Sequence, residues 1–344
     1  MSNFRNIENS SILVVGGAGY IGSHMVKALF DHGARVLTLD NLSRGNSDLL
    51  PGGEFRNGDL GDVALLNDIF SNNEINAVMH FAAHSIVPES MRYPLEYYEN
   101  NVAKTVRLVR TMVDHGVKYF IFSSSAAVYG EPSEVPIKEE HACQPTNPYG
   151  MTKWMIEQVL KDCDFAYGLK YVSLRYFNAA GADHSGIIGE RHSPETHLIP
   201  LVLKAALGEI SQIKIFGTDY PTSDGTCIRD YIHVNDLIQA HLLALGMLIG
   251  GGKSTIYNLG NSRGHSVRDV INVAQRITKR DFPVVEEVRR PGDPAVLIAN
   301  SDRIRKELGW EPMYEDLENI IRTAWTWHQN DAKKGKSFGS GHEK

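Results

Sequence analysis

Cysteine is scarce: Cys143, Cys163 and Cys227 are three in number and far apart. That excludes a disulfide framework and paired Cys-x-x-Cys zinc spacing, and it fits a reducing compartment. Blocks of Lys and Arg are missing too. With 41 acidic and 35 basic residues the formal net charge is −6, which argues against nucleic acid or an acidic membrane as partner. No apolar run is long enough to span a bilayer. The most apolar stretch, Leu242 to Ile249, runs into Gly250-Gly251-Gly252. The segment Met1 to Ser11 is polar and has no signal-peptide core. There is no internal repeat, no low-complexity tract and no metal-ligand motif. The expectation is a soluble cytoplasmic protein that acts on a small molecule.

What is present is an alternation of short apolar runs and helical patterns. At 344 residues and 42% apolar composition the chain can bury sizeable cores. Ile12-Leu13-Val14-Val15 reads as a buried parallel strand, and Ile21, Met25 and Leu29 have helical spacing. Between them lies Gly16-Gly17-Ala18-Gly19-Tyr20-Ile21-Gly22. Strand, glycine turn and helix together form a dinucleotide site: Gly16 permits the tight turn, Gly19 lets a pyrophosphate approach, and Gly22 lets helix and strand pack. The helix start then offers free N–H groups to phosphate. Asp40 stands 18 positions after Gly22, at the end of the next strand. An acidic residue there binds adenosine ribose hydroxyls and repels a 2′-phosphate, so NAD is expected rather than NADP.

Further strands are read at Glu54–Asn57, Ala77–Phe81, Tyr119–Phe122 and Tyr171–Tyr176, with helices at 62–70, 95–115 and 149–166. The fold class expected is α/β: a Rossmann-like doubly wound parallel sheet with a smaller C-terminal α/β substrate-binding domain. The boundary is set at residues 1–180 and 181–344, with some later segments returning to the sheet and the tail after Asn330 frayed. Ligands of such sheets bind beyond the carboxyl ends of the strands.

Two patterns carry chemistry. Tyr149 and Lys153 are four apart at a helix start, hence on one face. Bringing a phenol from about 10 to about 7 needs about 4 kcal/mol of differential stabilisation, which a neighbouring cation together with a positively charged nicotinamide ring can supply. The same pattern also reads as an exposed helix face. Ser123-Ser124-Ser125, at the end of a core strand, can bond a substrate oxygen while Tyr149 removes its proton.

The glycine motif, the serine run leading to Val128-Tyr129-Gly130, and Tyr149-x-x-x-Lys153 together resemble the extended short-chain dehydrogenase/reductase superfamily. Asp40-Asn41-Leu42, Asn100-Asn101-Val102, Arg175-Tyr176-Phe177-Asn178, Arg229-Asp230-Tyr231 and Tyr257-Asn258-Leu259-Gly260 make the chain, from Ile12 to His328, similar to its UDP-glucose 4-epimerase family. That resemblance implies interconversion of UDP-glucose and UDP-galactose, in galactose metabolism, by oxidation at sugar C4, rotation of the 4-keto sugar and re-reduction. Tyr149 would be the acid and base, Lys153 would tune it and hold the nicotinamide ribose, and Ser125 would bond the 4-hydroxyl. Around NAD it places Gly16, Gly19, Tyr20, Ile21, Gly22, Asp40, Asn41, Asp59, Leu60, Phe81, Ala82, Ala83, Asn100, Ser123 and Tyr176. Around the UDP-sugar it places Asn178, Leu198, Phe216, Arg229, Arg290 and Asp293, with Leu297 bordering the sugar. It also implies a homodimer through the helices near 95–115 and 153–166.

Two departures from the family pattern stand out. Ala127 occupies a place where Thr is frequent, and His84 and Ser85 lie where some members carry Lys. Ala126-Ala127 stand where a 4,6-dehydratase of this build carries an Asp-Glu pair. Epimerases of UDP-N-acetylglucosamine, UDP-glucuronate or UDP-xylose remain alternatives, as does a non-catalytic NAD sensor.

Overall fold

The computed structural model describes residues 6–290 and 293–339. In chain order the strands are β1 (Ser11–Val15), β2 (Arg35–Asp40), β3 (Glu54–Asn57), β4 (Ala77–His80), β5 (Tyr119–Ser125), β6 (Lys170–Tyr176), β7 (Asn178–Ala180), β8 (Ile213–Phe216), β9 (Ile228–His233), β10 (Thr255–Leu259), β11 (Gly264–Ser266), β12 (Val284–Glu287) and β13 (Val296–Leu297). The α-helices are α1 (Tyr20–Asp31), α2 (Val63–Asn72), α3 (Val87–Arg92), α4 (Pro94–Tyr97), α5 (Lys104–Asp114), α6 (Pro148–Tyr167), α7 (Leu198–Leu207), α8 (Val234–Ile249), α9 (Val267–Thr278), α10 (Asp302–Leu308) and α11 (Leu317–Gly339).

Seven strands form one parallel sheet in the order β10-β6-β5-β4-β1-β2-β3. Strand β1 is central, and Ile12 to Val15 are almost wholly buried because helices cover both faces. One face packs Met25, Val26 and Leu29 of α1 against Leu237, Ala244 and Leu248 of α8. The other packs Leu66 and Ile69 of α2, Leu108 and Met112 of α5, and Ile156 and Leu160 of α6. Because the chain leaves the β3 edge and resumes at β4 on the far side of β1, a crevice opens at the carboxyl ends of β1 and β4. The return expected after residue 180 is made by β10, which pairs with β6 through Tyr257 and Leu174.

A second lobe is built on β9, which pairs with β7, β11 and β13, and on the parallel pair β8–β12. Its core joins α7, α9 and α11 through Val202, Val270 and Ile320. Asp230 at the heart of β9 accepts N–H groups from Asn261, Ser262 and Ala299, at 2.8, 3.1 and 3.0 Å. It thereby ties the two lobes and leaves its neighbour Arg229 to face the cavity.

The long helix read over 95–115 is present from Pro94 to Asp114, with a π-helical turn at Tyr98–Ala103 inside it, a feature frequent at functional sites. One expectation is corrected. The tail is not frayed at Asn330: α11 continues to Gly339. Its buried face carries Leu317, Ile320, Ile321, Ala324 and Trp327, and Asp331 pairs with Arg191 at 2.5 Å. The rest of that tail, 340–344, lies outside the described residues, as does 1–5.

Candidate active site

A cavity of about 740 Å³ opens at the carboxyl ends of the sheet strands, between the sheet and the second lobe. Its floor is the glycine turn. Gly16 has φ +79°, and a Cβ there would lie 2.5 Å from the Ala82 nitrogen. A Cβ on Gly22 would lie 2.1 Å from the Gly16 carbonyl. Only glycines close this turn against the end of β4, which brings Gly19, Tyr20 and Ile21 into the wall beside Phe81, Ala82 and Ala83. The Tyr20 hydroxyl donates to the Gly181 carbonyl at 2.7 Å, locking the turn to the second lobe.

Asp40 ends β2 at the same rim. Its two oxygens accept N–H groups from Ala18 at 3.0 Å and Leu42 at 2.8 Å. Each carboxylate oxygen keeps a lone pair for a further donor. Burial raises the Asp40 pKa, while the two backbone bonds favour the charged form. Arg44 also lines the cavity but is held by both oxygens of Glu89, at 2.9 and 3.2 Å.

The start of α6 brings Tyr149 and Lys153 to the cavity. Asn147 caps it by accepting from Gly150 N–H at 2.9 Å, and Pro148 opens the first turn. A Cβ on Gly150 would lie 2.3 Å from the Ala127 carbonyl. That close approach seats the helix start on the turn that follows β5, and so brings Tyr149 beside Ser125 in the cavity wall. Lys153 is buried and donates to the Ser123 carbonyl at 2.7 Å. Its Nζ lies 5.9 Å from the centre of the Tyr149 ring. Burial pushes the ammonium down to about 7, opposed by Glu157 one turn further along. Burial pushes the Tyr149 phenol up, and its hydrogen bond with Ser125 only partly offsets this. Lys153 alone therefore does not lower the Tyr149 phenol, in keeping with the expectation that a positively charged nicotinamide ring acts together with it.

Facing these groups across the cavity stand Asn178, Leu198, Phe216, Arg229, Arg290 and Asp293. The Arg290 guanidinium lies 3.9 Å over the Phe216 ring, while Arg229 is ion-paired with Asp293 and donates to the Ile228 carbonyl at 2.8 Å. Two guanidiniums on one wall suit a diphosphate, since each can bond two oxygens at once.

The sequence profile of the NAD dependent epimerase/dehydratase family matches residues 12–260. The chain belongs to the NAD dependent epimerase/dehydratase family. It is similar to the UDP-glucose 4-epimerase of Halalkalibacterium halodurans, with 53% identity over 93% of this chain and 96% of that one. The crystal structure of UDP-glucose 4-epimerase from Brucella ovis in complex with NAD superimposes with a TM-score of 0.90, at 47% identity over 92% and 97% of the two chains. That of Bifidobacterium longum in complex with NAD+ and UDP gives 0.89, at 37% identity over 94% and 99%.

The cofactor of this epimerase/dehydratase-family chain is NAD, and the residues fit it. The glycine turn leaves no room for a Cβ at Gly16 or Gly22. Asp40 keeps acceptor capacity for ribose hydroxyls, and Arg44, which could otherwise take a 2′-phosphate, is already engaged by Glu89. Asn41, Leu60, Asn100 and Tyr176 also line the cavity.

Three expected site residues lie behind the wall. Asp59 accepts from Asn41 at 2.9 Å, Lys104 at 2.8 Å and Gly61 N–H at 2.8 Å; it positions Asn41. Despite the opposing effect of partial burial, these partners hold Asp59 below the usual carboxylate range. Ser123 is buried, and its carbonyl rather than an exposed hydroxyl serves the site through Lys153. Leu297, expected at the sugar, is corrected: it packs against Val128, Tyr129 and Ile137 and is not among the residues lining the cavity. In the sheet, Leu297 of β13 pairs with Arg229 of β9.

Other residues of the site were not read from the sequence. Glu157 accepts from Ser124 at 2.6 Å and from Arg175 at 2.9 and 2.5 Å, all buried. Glu190, His192 and His197 line the cavity from the loop before α7.

Proposed function

We propose that the chain interconverts UDP-glucose and UDP-galactose. One observation carries this reading: Ser125, Tyr149 and Lys153 share a single cavity with the glycine turn and with Arg229 and Arg290. The epimerases it resembles at about half identity over nearly their whole length support it.

Bound NAD supplies the hydride acceptor and, on the return step, the donor at sugar C4. The chain's own residues do the rest. Tyr149 takes the proton of the 4-hydroxyl and gives it back, with Ser125 holding the same oxygen. Lys153, fixed by the Ser123 carbonyl, keeps its remaining N–H donors for the nicotinamide ribose and favours the phenolate. Asp40 holds the adenosine ribose. Arg229 and Arg290 grip the diphosphate while the 4-keto sugar turns its other face, so binding energy at the nucleotide is used for orientation.

Water loss is not part of this chemistry. The dehydratase pair would stand at Ala126 and Ala127, in the 3-10 turn Ala126–Val128. Incubation with UDP-galactose and detection of UDP-glucose tests the reading.

The same proposal includes a homodimer. The helices concerned carry exposed apolar side chains: Leu95 on α4, Val106 on α5, and Met155 and Phe165 on α6. Light scattering that gives the mass of two chains supports it, and the mass of one contradicts it. No helix among the described residues is long and apolar enough to cross a membrane, in keeping with the cytoplasmic location proposed.

A further inference from the structure

The loop between β7 and α7 carries a cluster that the reaction above does not use. Glu190, His192, Glu195 and His197 each present one donor atom, and these atoms all lie within 4.8 Å of one another. Glu190 Oε1 is 2.7 Å from His197 Nδ1 and 3.0 Å from His192 Nδ1. Glu195 Oε1 is 3.2 Å from His197 Nδ1, and its other oxygen is 3.9 Å from His192 Nδ1.

A tetrahedral ion with metal–ligand bonds of 2.0–2.1 Å has ligand–ligand edges of about 3.3 Å. Three of the donor separations, 2.7, 3.0 and 3.2 Å, lie within about 0.6 Å of that edge, and all four donors lie within 4.8 Å of one another. The carboxylate side chains of Glu190 and Glu195 are only 5% and 3% exposed, and among the described residues their ion-pair partners are the two imidazoles.

The frame is held from outside the cluster. Trp327 Nε1 donates to the Glu190 carbonyl at 3.0 Å, and Asn46 donates to the Arg191 carbonyl at 3.1 Å. Arg191 itself turns away, to Asp48 at 2.9 Å and Asp331 at 2.5 Å. The charged residue between the ligands is thus kept out of the donor set.

We propose that Glu190, His192, Glu195 and His197 bind one divalent transition-metal ion, of the zinc type that mixed imidazole and carboxylate ligands select. Four protein ligands make a closed site, and closed sites are structural. The ion fixes the stretch Glu190–Leu198, which forms one wall of the cavity and leads into α7.

The test uses the full chain without an added histidine tag, stripped with a chelator and then incubated with zinc or cobalt(II). Mass spectrometry of metals after gel filtration is expected to give one ion per chain. The cobalt form is expected to show the intense visible bands of tetrahedral geometry. Since even outer partners of metal ligands are worth 10–100-fold in affinity, His192→Ala with His197→Ala is expected to weaken binding at least about a hundredfold. His184→Ala, an exposed histidine of the same loop outside the cluster, is expected to leave binding unchanged. A wild-type chain that stays metal-free overturns the proposal. So does a double variant that binds as tightly as wild type. Should the double variant fail to fold, the wild-type cobalt spectrum decides alone: weak octahedral bands overturn the site.

Discussion

Lys153 Nζ donates to the carbonyl of Ser123 at 2.7 Å, across the gap between α6 and β5. This bond sets where the ammonium sits relative to Tyr149 in the cavity wall. Tyr149→Phe is expected to keep the fold and bound NAD and to lower turnover by roughly 10²–10⁴, the usual contribution of general acid–base catalysis. Ser125→Ala is expected to cost less. Steady-state rates together with the cofactor content of each variant check this.

Lys153 also gives a pH signature. Its folded pKa, about 7, lies below the ordinary lysine value of 10.5 because burial opposes the charge. Between those values the unfolded chain holds more protons at this site than the folded one. Stability therefore rises with pH across the window from about 7 to 10.5, and the site is least favourable below it. In cofactor-free protein, Lys153→Met is expected to gain most relative to wild type below pH 7, with the gain shrinking toward pH 10. Calorimetric melting across pH measures the difference. A gap that does not change with pH contradicts the burial argument.

Asp40→Ala is expected to weaken NAD about 10- to 100-fold, as loss of hydrogen bonds to a charged group costs about 1.5–3 kcal/mol. NADP is expected to remain the poorer ligand for wild type, since Arg44 is held by Glu89. Equilibrium titration with both dinucleotides checks both statements.

Glu157→Gln leaves Arg175 buried without its charge partner. Breaking a buried pair from one side costs about 3–5 kcal/mol. Replacing both, by Glu157→Gln with Arg175→Met, is expected to recover part of that loss. Denaturant unfolding of the two variants gives the comparison.

The strand–glycine–helix unit was legible because its requirements are local: a tight turn, an anion at a helix start, an acid at the next strand end. Tyr149 and Lys153 were legible because helix spacing alone puts them on one face. Glu157 and Arg175 were not, since they are joined only when β6 lies beside β5 and under α6. Asn101 lies buried in a π turn that no propensity marks. Glu190 to His197 read as an irregular polar stretch because its side chains converge through loop packing on Trp327 and Asn46 rather than through any repeat. Leu297 was misplaced because its nearness to Asp293 in the chain does not reveal its packing on Val128, Tyr129 and Ile137.

That packing yields its own test. Leu297 packs beside Val128, Tyr129 and Ile137, so Leu297→Tyr overfills a core rather than narrowing a sugar pocket. A loss of about 1–3 kcal/mol in stability is expected. The ratio of specificity constants for UDP-galactose and UDP-N-acetylgalactosamine is expected to stay the same. A changed ratio returns Leu297 to the sugar site.

The central claim is a 4-epimerisation in which the hydride leaves and returns within one cavity. The direct measurement is nuclear magnetic resonance of UDP-galactose incubated with the purified chain, with NADH followed by absorbance. UDP-glucose is expected to accumulate to equilibrium while no free NADH builds up. A sugar nucleotide that stays unchanged in the presence of bound NAD, or a 4-keto product released with stoichiometric NADH, contradicts the account.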